Sequence, residues 1–104
     1  MDIITNSQIE DFNSNAKSLK IEINSNDLIL IKTTDDIEIV KIKKFSDCWG
    51  YKIDLLINNE NIMYKSKVHN IEELKKALKN TILMTESTIF NKITNDLKLL
   101  IKLI

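Results

Sequence analysis

Five short, isoleucine-rich strand patterns fill the sequence up to His69, and a helical pattern continues from there to the last residue. Short polar turn signals separate the strand patterns. Antiparallel neighbours can be joined by such turns, whereas parallel neighbours need a long crossover connection. The order of elements therefore predicts an α+β fold, in which an antiparallel meander sheet of four to five strands is followed by a C-terminal helix or helices packed on one face.

The strand patterns differ in which faces are apolar. Leu19, Ile21 and Ile23 alternate with polar residues, which is typical of a strand with one buried face. The run 28–32 is apolar on both faces, and we therefore expect an interior strand with cover on each side. This pair of patterns predicts that the sheet begins with a half-buried strand and continues into the core.

The next two strand patterns carry register information. Val40 and Ile42 are out of phase with Ile39, which predicts a bulge or a twist near Ile39-Val40, because strand side chains alternate with a period of two. The fourth pattern places its large apolar residues on one face, which we expect to belong to the core. These residues are Trp49, Tyr51, Ile53, Leu55 and Ile57.

The helical pattern begins with capping chemistry. Asn70 is a good N-cap, and Glu73 stands where a capping-box partner would reach back to it. The apolar 3.6-residue repeat is interrupted at Thr85, and Thr85 or Ser87 could cap a second helix. We therefore expect two helical segments rather than one long helix, near 71–84 and 88–102.

Both ends of the chain carry further helical signals. Ser7 and Glu10 have capping-box spacing, which predicts a short helix over 8–14. At the other end, residues 99–104 are apolar nearly all round. An apolar terminus of this kind is either buried on more than one side or part of an interface, and a homodimer through this helix is one such interface.

The composition lacks most of what enzymes use. The chain has one His, one Cys, one Gly, no Pro and no Arg, and its formal net charge is zero. No metal-ligand spacing or glycine-rich phosphate loop is present, so we expect no cofactor and no metal. A general nucleic-acid binder carries a basic excess, so we expect no direct nucleic-acid partner. The sequence therefore favours a non-enzymatic protein that binds another macromolecule.

The length of the chain and its residue composition predict the number of domains and the cellular compartment. At 104 residues we expect a single domain over 1–104, with strands about 18–68 and a helical region about 71–102. A lone Cys48 suits a reducing compartment. The N-terminus lacks the basic and apolar regions of a signal peptide, and no run reaches the roughly 18 apolar residues of a membrane span. We expect a cytoplasmic protein without membrane contact.

Residues 45–79 resemble a known class of proteins. An aromatic strand containing Cys48, Trp49 and Tyr51 pairs with a return strand, which leads through His69 and Asn70 into the helix IEELKKAL. This arrangement resembles small bacterial immunity proteins of contact-dependent growth inhibition and related polymorphic-toxin systems. The resemblance implies a cytosolic protein that binds and blocks one cognate toxin, often a nuclease, and it carries over no functional residue by position.

Acidic residues are concentrated in the first part of the chain, where positions 1–40 hold eight acids and three lysines. The active site of a nuclease toxin must attract phosphate, and carboxylates presented to it would speed association and exclude the substrate. The candidate interface residues are Asp35, Asp36 and Glu38, with Asp27 and Glu22 as further candidates. A toxin could instead be bound away from its active site.

Two other functions stay open. The chain could be another protein-binding module, such as a secretion chaperone or assembly factor, which a stable homodimer would favour. It could also be a small enzyme or ligand-binding domain built around His69, Cys48 or Asp54. Each of these three has a simpler structural interpretation: His69 meets solvent at a junction, Cys48 is a packed thiol, and Asp54 is an exposed acid.

Overall fold

The computed structural model describes residues 3–25, 27–44, 50–57, 61–84 and 91–104. Three helices and five strands lie in this part of the chain. In chain order they are α1 (Asn6–Asn15), β1 (Leu19–Ser25), β2 (Leu28–Thr33), β3 (Glu38–Lys44), β4 (Tyr51–Ile57), β5 (Asn61–Val68), α2 (Ile71–Met84) and α3 (Asn91–Leu103).

The five strands form one antiparallel sheet in the order β1-β2-β3-β4-β5, so each strand pairs with its neighbour in sequence. The helices α2 and α3 pack together; α2 also contacts β5, and α1 contacts β1 and α3. The predicted α+β meander with C-terminal helices on one face is confirmed. The N-terminal α1 adds a third helix to that layer.

One continuous core lies between the sheet and the helices. Opposed strand residues face the same side, and one such row begins with Ile21, Ile31 and Val40 and continues to Leu55. All four of these side chains are buried. The helices meet them with fully buried residues of their own. These include Phe12, Leu74, Leu78, Leu97 and Leu100.

The predicted bulge in β3 is confirmed. Ile31 pairs with Val40, but the next residue, Lys32, pairs with Glu38, so Ile39 has no partner of its own on β2. The extra residue lets Ile39 and Val40 both be buried, at 4% and 0% exposure. The strand thereby accommodates a phase change that a regular period of two would not allow.

The first helix begins earlier than predicted. Thr5, not Ser7, is the N-cap: its hydroxyl accepts a bond from the Gln8 backbone N–H, and the Gln8 side chain accepts one from the Thr5 N–H. The predicted box of Ser7 and Glu10 is therefore wrong by position. The same cap chemistry was present two residues earlier, with Gln in place of Glu.

Of the two hydrogen bonds expected in the capping box of α2, one is formed as predicted. The Asn70 side chain accepts a 2.9 Å bond from the Glu73 backbone N–H. The Glu73 carboxylate, however, accepts a bond from the backbone N–H of His69 rather than from that of Asn70. The helix ends at Met84, and α3 packs back against it. The capping roles predicted for Thr85 and Ser87 lie outside the described residues.

The apolar C-terminus is buried on several sides. Leu97 and Leu100 are fully buried, and four neighbours are partly buried against the same core: Leu99, Ile101, Leu103 and Ile104. Helix α3 contacts both α1 and α2, and its residues Leu97 and Leu100 belong to the same core as residues of the sheet, which explains why its last turns are apolar nearly all round. Among the helices that the structure describes, none has the length and apolar character needed to cross a membrane.

Candidate protein-binding face

The side of the sheet that points away from the helix layer is the candidate binding surface. Cross-strand pairing and the alternation of strand side chains identify the residues that face this side. They are Lys20, Glu22, Leu28, Leu30, Lys32, Glu38, Lys41, Lys43, Lys52, Asp54, Leu56, Lys65 and Lys67, and we call this surface the open face.

Although none of the described helices covers the open face, it is not uniformly exposed. Leu30 is 3% exposed and Leu56 6%. The residues opposite Leu30 are Glu22 and Lys41, and long charged side chains can cover apolar surface with their methylene stems. The predicted interior position of the second strand is confirmed, with Leu30 buried on the open face and Ile31 on the covered face, but the predicted cover on the open side is not provided by any described helix.

The β1–β2 half of the open face is internally paired. Lys32 Nζ lies 3.0 Å from Glu22 Oε2, and Lys20 Nζ lies 2.9 Å from Asp36 Oδ1. The hydrogen bond from Lys20 lowers the pKa of the Asp36 carboxyl, and the positive charge of the same lysine adds to the shift. The hydrogen bond to Glu22 raises the pKa of Lys32. Each of the two lysines is thus paired with a carboxylate.

Asp36 also shapes the β2–β3 turn. Its backbone φ is 65°, in the left-handed region that Asp and Asn tolerate better than most residues. The turn is closed by a bond from the Asp36 N–H to the Thr33 carbonyl at 3.0 Å and by one from the Ile37 N–H to the Thr33 hydroxyl at 3.1 Å. The ion pair with Lys20 therefore starts from a backbone position that is fixed by the turn.

Four of the five predicted interface residues come together. Glu22, Asp36 and Glu38 all lie near enough to Lys32 to raise its pKa by their charge, and the exposed Asp35 is the neighbour of Asp36 in the same turn. We call Glu22, Asp35, Asp36 and Glu38 the acidic cluster. The four carboxylates outnumber the two lysines beside them, Lys20 and Lys32, so this end of the open face carries a negative net charge.

Asp27 does not join the acidic cluster. It lies in the β1–β2 turn, whereas Asp35 and Asp36 lie in the β2–β3 turn, and successive turns of a meander are at opposite ends of the sheet. The Asp27 carbonyl accepts a 2.8 Å bond from the backbone N–H of Lys44, at the end of β3. A partner centred on the acidic cluster would therefore not reach Asp27 without spanning the length of a strand.

The β3–β5 half of the open face has the opposite character. Lys43, Lys52 and Lys67 face one another across the three strands. In the neighbouring row, Lys41 and Lys65 flank Asp54. Asp54 is the one acid in these two rows, so this half of the face carries an excess of positive charge.

Asp54 is buried rather than exposed, contrary to the prediction of an exposed acid. It is 9% exposed, and its Oδ2 lies 3.5 Å from Lys52 Nζ. Its Oδ1 has no hydrogen-bond partner in the described part of the chain. A carboxylate at the centre of lysines is the counter-charge for this half of the face.

The remaining residues considered for catalysis or metal binding are not brought together into a site in the described part of the chain. His69 is exposed, and its Nδ1 lies 3.2 Å from Glu73 Oε2 at the start of α2. The ring packs against Gly50, where an added Cβ would come within 3.0 Å of it. Cys48 lies outside the described residues. Within the described ranges, no group of three or more His, Cys, Asp and Glu side chains is placed to hold a metal ion.

Tyr51 and Tyr64 lie on the covered face and not among the lysines of the open face; Lys44, which pairs with Tyr51, is on the same side as the two aromatics. Tyr51 is partly buried against the core, as are Ile53 and Leu55, which are fully buried. The prediction that this strand presents its apolar face to the core is confirmed for these three residues. Trp49 lies outside the described residues.

Sequence reasoning missed Asp96 of α3. Its buried carboxylate accepts bonds from three successive backbone N–H groups, those of Lys17 at 3.1 Å, Ser18 at 2.6 Å and Leu19 at 2.8 Å. Asp96 thereby ties α3 to the start of β1. Its spacing was a usable signal, because an acid three residues after Ile93 falls within the apolar stripe of the helix.

Comparison with known proteins identifies no relative. No family model matches the sequence, and neither a curated protein nor a solved structure is significantly similar to the chain. The geometry of the open face and the chemistry of its residues therefore carry the functional argument.

Proposed function

We propose that the protein is an immunity protein that neutralises one cognate toxin, a nuclease, by occluding its active site. Binding takes place in the cytoplasm and uses the acidic cluster at the β2–β3 end of the open face. A broad sheet surface with segregated charge is suited to a protein partner, since complementary potentials set register and speed association. The resemblance of residues 45–79 to immunity proteins points in the same direction.

The observation that carries this function is the gathering of Glu22, Asp36 and Glu38 around Lys32. The carboxylates come from three different segments of the chain, and the meander brings them to one end of the sheet. Their ion pairs restrict side-chain motion before any partner arrives, which lowers the entropy lost on binding. The cluster still carries more negative than positive charge, as a basic active site requires.

The test is growth protection combined with association kinetics. The toxin would be the C-terminal domain of the large secreted protein encoded directly upstream of this gene, and the two would be co-expressed. Asp35→Asn/Asp36→Asn removes two charges while Asn keeps the left-handed turn available at position 36. Lysine at position 36 would strain this backbone, so a charge reversal there would confuse folding with binding.

The matched control is Glu10→Gln/Asp11→Asn, which removes the same charge from the exposed surface of α1. We expect wild type and control to protect cells and to associate with the toxin at a rate that falls steeply with salt. The turn variant should associate about tenfold more slowly at low salt and lose most of that dependence. Identical salt curves for all three proteins would rule out the acidic cluster, and failure of wild type to protect would rule out this function.

The α2–α3 surface favours a second candidate, a protein-binding module that works as a homodimer. A cavity of about 450 Å³ is lined by Ile82, Leu83 and Ile101 with two lysines at its rim, and Leu83 is 66% exposed. Exposed apolar side chains beside a groove are typical of an interface. Light scattering of wild type and Leu83→Lys would decide: a dimer that the substitution dissociates supports this candidate, and a monomer in both excludes it.

A further inference from the structure

The outer edge of β1 is closed by side chains from two helices. β1 is an end strand of the described sheet, so one side of its backbone faces away from β2. On that side, the Asn13 Oδ1 of α1 accepts a 2.7 Å bond from the Ile21 N–H, and the Asn13 Nδ2 donates a 3.0 Å bond to the Ile21 carbonyl. At the start of the strand, the Leu19 N–H donates to the Asp96 carboxylate at 2.8 Å. A strand added to this edge would need the same backbone groups.

The contact of Asn13 with Ile21 imitates strand pairing. In an antiparallel pair, residues of one class of opposed position exchange both of their N–H···O bonds. Asn13 offers Ile21 one acceptor and one donor in the same way. Its amide therefore satisfies two backbone groups and also occupies the place that the backbone of another strand would take.

The sequence of β1 is suited to antiparallel pairing with itself. Two copies of a strand can pair about a two-fold axis, which makes every contact occur twice. With the axis at Ile21, Lys20 of one copy lies opposite Glu22 of the other, and Leu19 lies opposite Ile23. Lys20 and Glu22 both lie on the open face. Opposite charges in directly opposed positions stabilise a sheet, so β1 is complementary to its own copy.

The backbone geometry of the edge supports the same register. Bonding groups of an antiparallel strand point alternately to its two sides, so the outward groups are those of Leu19, Ile21 and Ile23. An axis at Ile21 pairs these three residues with one another. The Leu19 N–H can stay with Asp96, because the partner's Ile23 N–H would bond to the Leu19 carbonyl. Pairing would also cover the Ile23 side chain, which is 48% exposed, and would end before Ser25, where the register of β1 shifts.

We propose that β1 is a latent pairing edge for a second copy of this chain, and that Asn13 keeps it closed. The end of α1 lies against β1 in the closed protein. When Asn13 leaves Ile21, two copies join their sheets edge to edge through β1. This site goes beyond the proposed neutralising function, because its occupant is the chain itself. It also differs from the α2–α3 surface, which lies on the helices.

The first experiment removes the Asn13 amide from the full chain. Asn13→Ala deletes both bonds to Ile21. The matched control is Asn15→Ala in the same helix, because the Asn15 amide donates to the Asp11 carbonyl within α1. Light scattering over a range of protein concentrations gives the mass, and NMR gives the exchange rate of the Ile21 amide hydrogen. Asn13→Asp replaces Asn13→Ala if the alanine variant impairs folding, since a carboxylate repels the Ile21 carbonyl.

We expect wild type and Asn15→Ala to be monomers, whereas the mass of Asn13→Ala should rise with concentration towards that of a dimer. The Ile21 amide of Asn13→Ala should exchange faster than that of wild type in the dilute monomer and slow down again in the dimer. Faster exchange at Ile21 in a variant that stays monomeric would show that Asn13 only stabilises the fold, and would overturn the inference.

A charge exchange in the Asn13→Ala protein tests the register. Adding Glu22→Lys or Lys20→Glu sets like charges opposite each other, so each should weaken self-association about tenfold. Mixing these two proteins should restore dimers, because opposite charges then face each other. Dimers that persist unchanged in both proteins would overturn the inference.

The α2–α3 surface is the competing site of self-association. Adding Leu83→Lys to Asn13→Ala should leave the dimer intact, and a dimer that it dissociates would overturn pairing through β1. The toxin is absent from these experiments, so their outcome does not depend on the proposed function.

Discussion

The two faces of the sheet are built by the same strands, yet their side chains are stabilised in different ways. On the covered face, rows such as Ile21, Ile31 and Val40 meet apolar neighbours and are buried. On the open face, the β1–β2 half pairs its lysines with carboxylates, while the β3–β5 half aligns lysines with lysines. Burial thus explains the covered face, whereas charge pairing shapes the open face, with two ion pairs in the β1–β2 half and the pair of Lys52 with Asp54 in the β3–β5 half.

The largest expected effect separates the covered face from the open one. Ile53→Asp should unfold the domain, because Ile53 is fully buried and an unpaired carboxylate there adds a desolvation penalty to the lost apolar burial. The combined loss exceeds roughly 5 kcal/mol, comparable to the whole stability of a small domain. Circular dichroism and thermal melting would measure it.

The control for that substitution is Lys43→Asp, which places the same residue on the exposed side of the adjoining strand β3. It should leave melting within a few degrees of wild type, because an exposed substitution changes stability by about 0.5 kcal/mol or less. Wild-type melting in Ile53→Asp, or unfolding of Lys43→Asp, would mean that the two faces have been assigned the wrong way round.

The contrast between the faces also separates what local sequence could and could not predict. Strand alternation, the bulge at Ile39 and the cap at Asn70 depend on neighbouring residues. The bulge is confirmed, the alternation of β1 is confirmed at Leu19 and Ile21 although Ile23 is 48% exposed, and the cap is confirmed for the bond that Asn70 accepts. The pairing of charges depends on register between strands, which no local pattern contains. For this reason the alignment of Lys43 with Lys52 and the pair of Lys20 with Asp36 emerged only from the structure.

The candidate interface shows the same limit. Grouping acids by their position in the chain placed Asp27 with Asp36, although a meander sends successive turns to opposite ends of the sheet. Local reasoning also treated Asp54 as exposed, because a single acid in a strand pattern does not show how its neighbours cover it. The interface roles of the acidic residues, including Asp27, stay predictions.

A smaller effect tests the internal pairing of the β1–β2 half. Because Lys20 lowers the pKa of Asp36, the folded state favours the ionised carboxyl. Its contribution to stability is present above the ordinary pKa of 3.8 and is lost as pH falls through the lower folded pKa. Lys20→Gln should abolish the shift, so an NMR titration of the Asp36 carboxyl should give a higher pKa in the variant.

Lys32 provides the alkaline counterpart of that titration. Its raised pKa means that its contribution is present below the ordinary value of 10.5 and is lost as pH rises through the folded pKa. Glu22→Gln should lower the pKa of Lys32, since the hydrogen bond to Glu22 is the main cause of the shift. Unchanged titration curves in both variants would show that this half of the face is not internally paired in solution.

The smallest expected effect has the opposite sign and tests the β3–β5 half, in which Lys43 lies directly opposite Lys52. Lys43→Glu converts this like-charge contact into an attractive one, so it should raise the free energy of unfolding by roughly 0.2–1 kcal/mol. Urea denaturation would measure the gain, and Lys79→Glu on α2 is the control, for which no such gain is expected. A loss of stability would show instead that Lys43 supports the sheet itself.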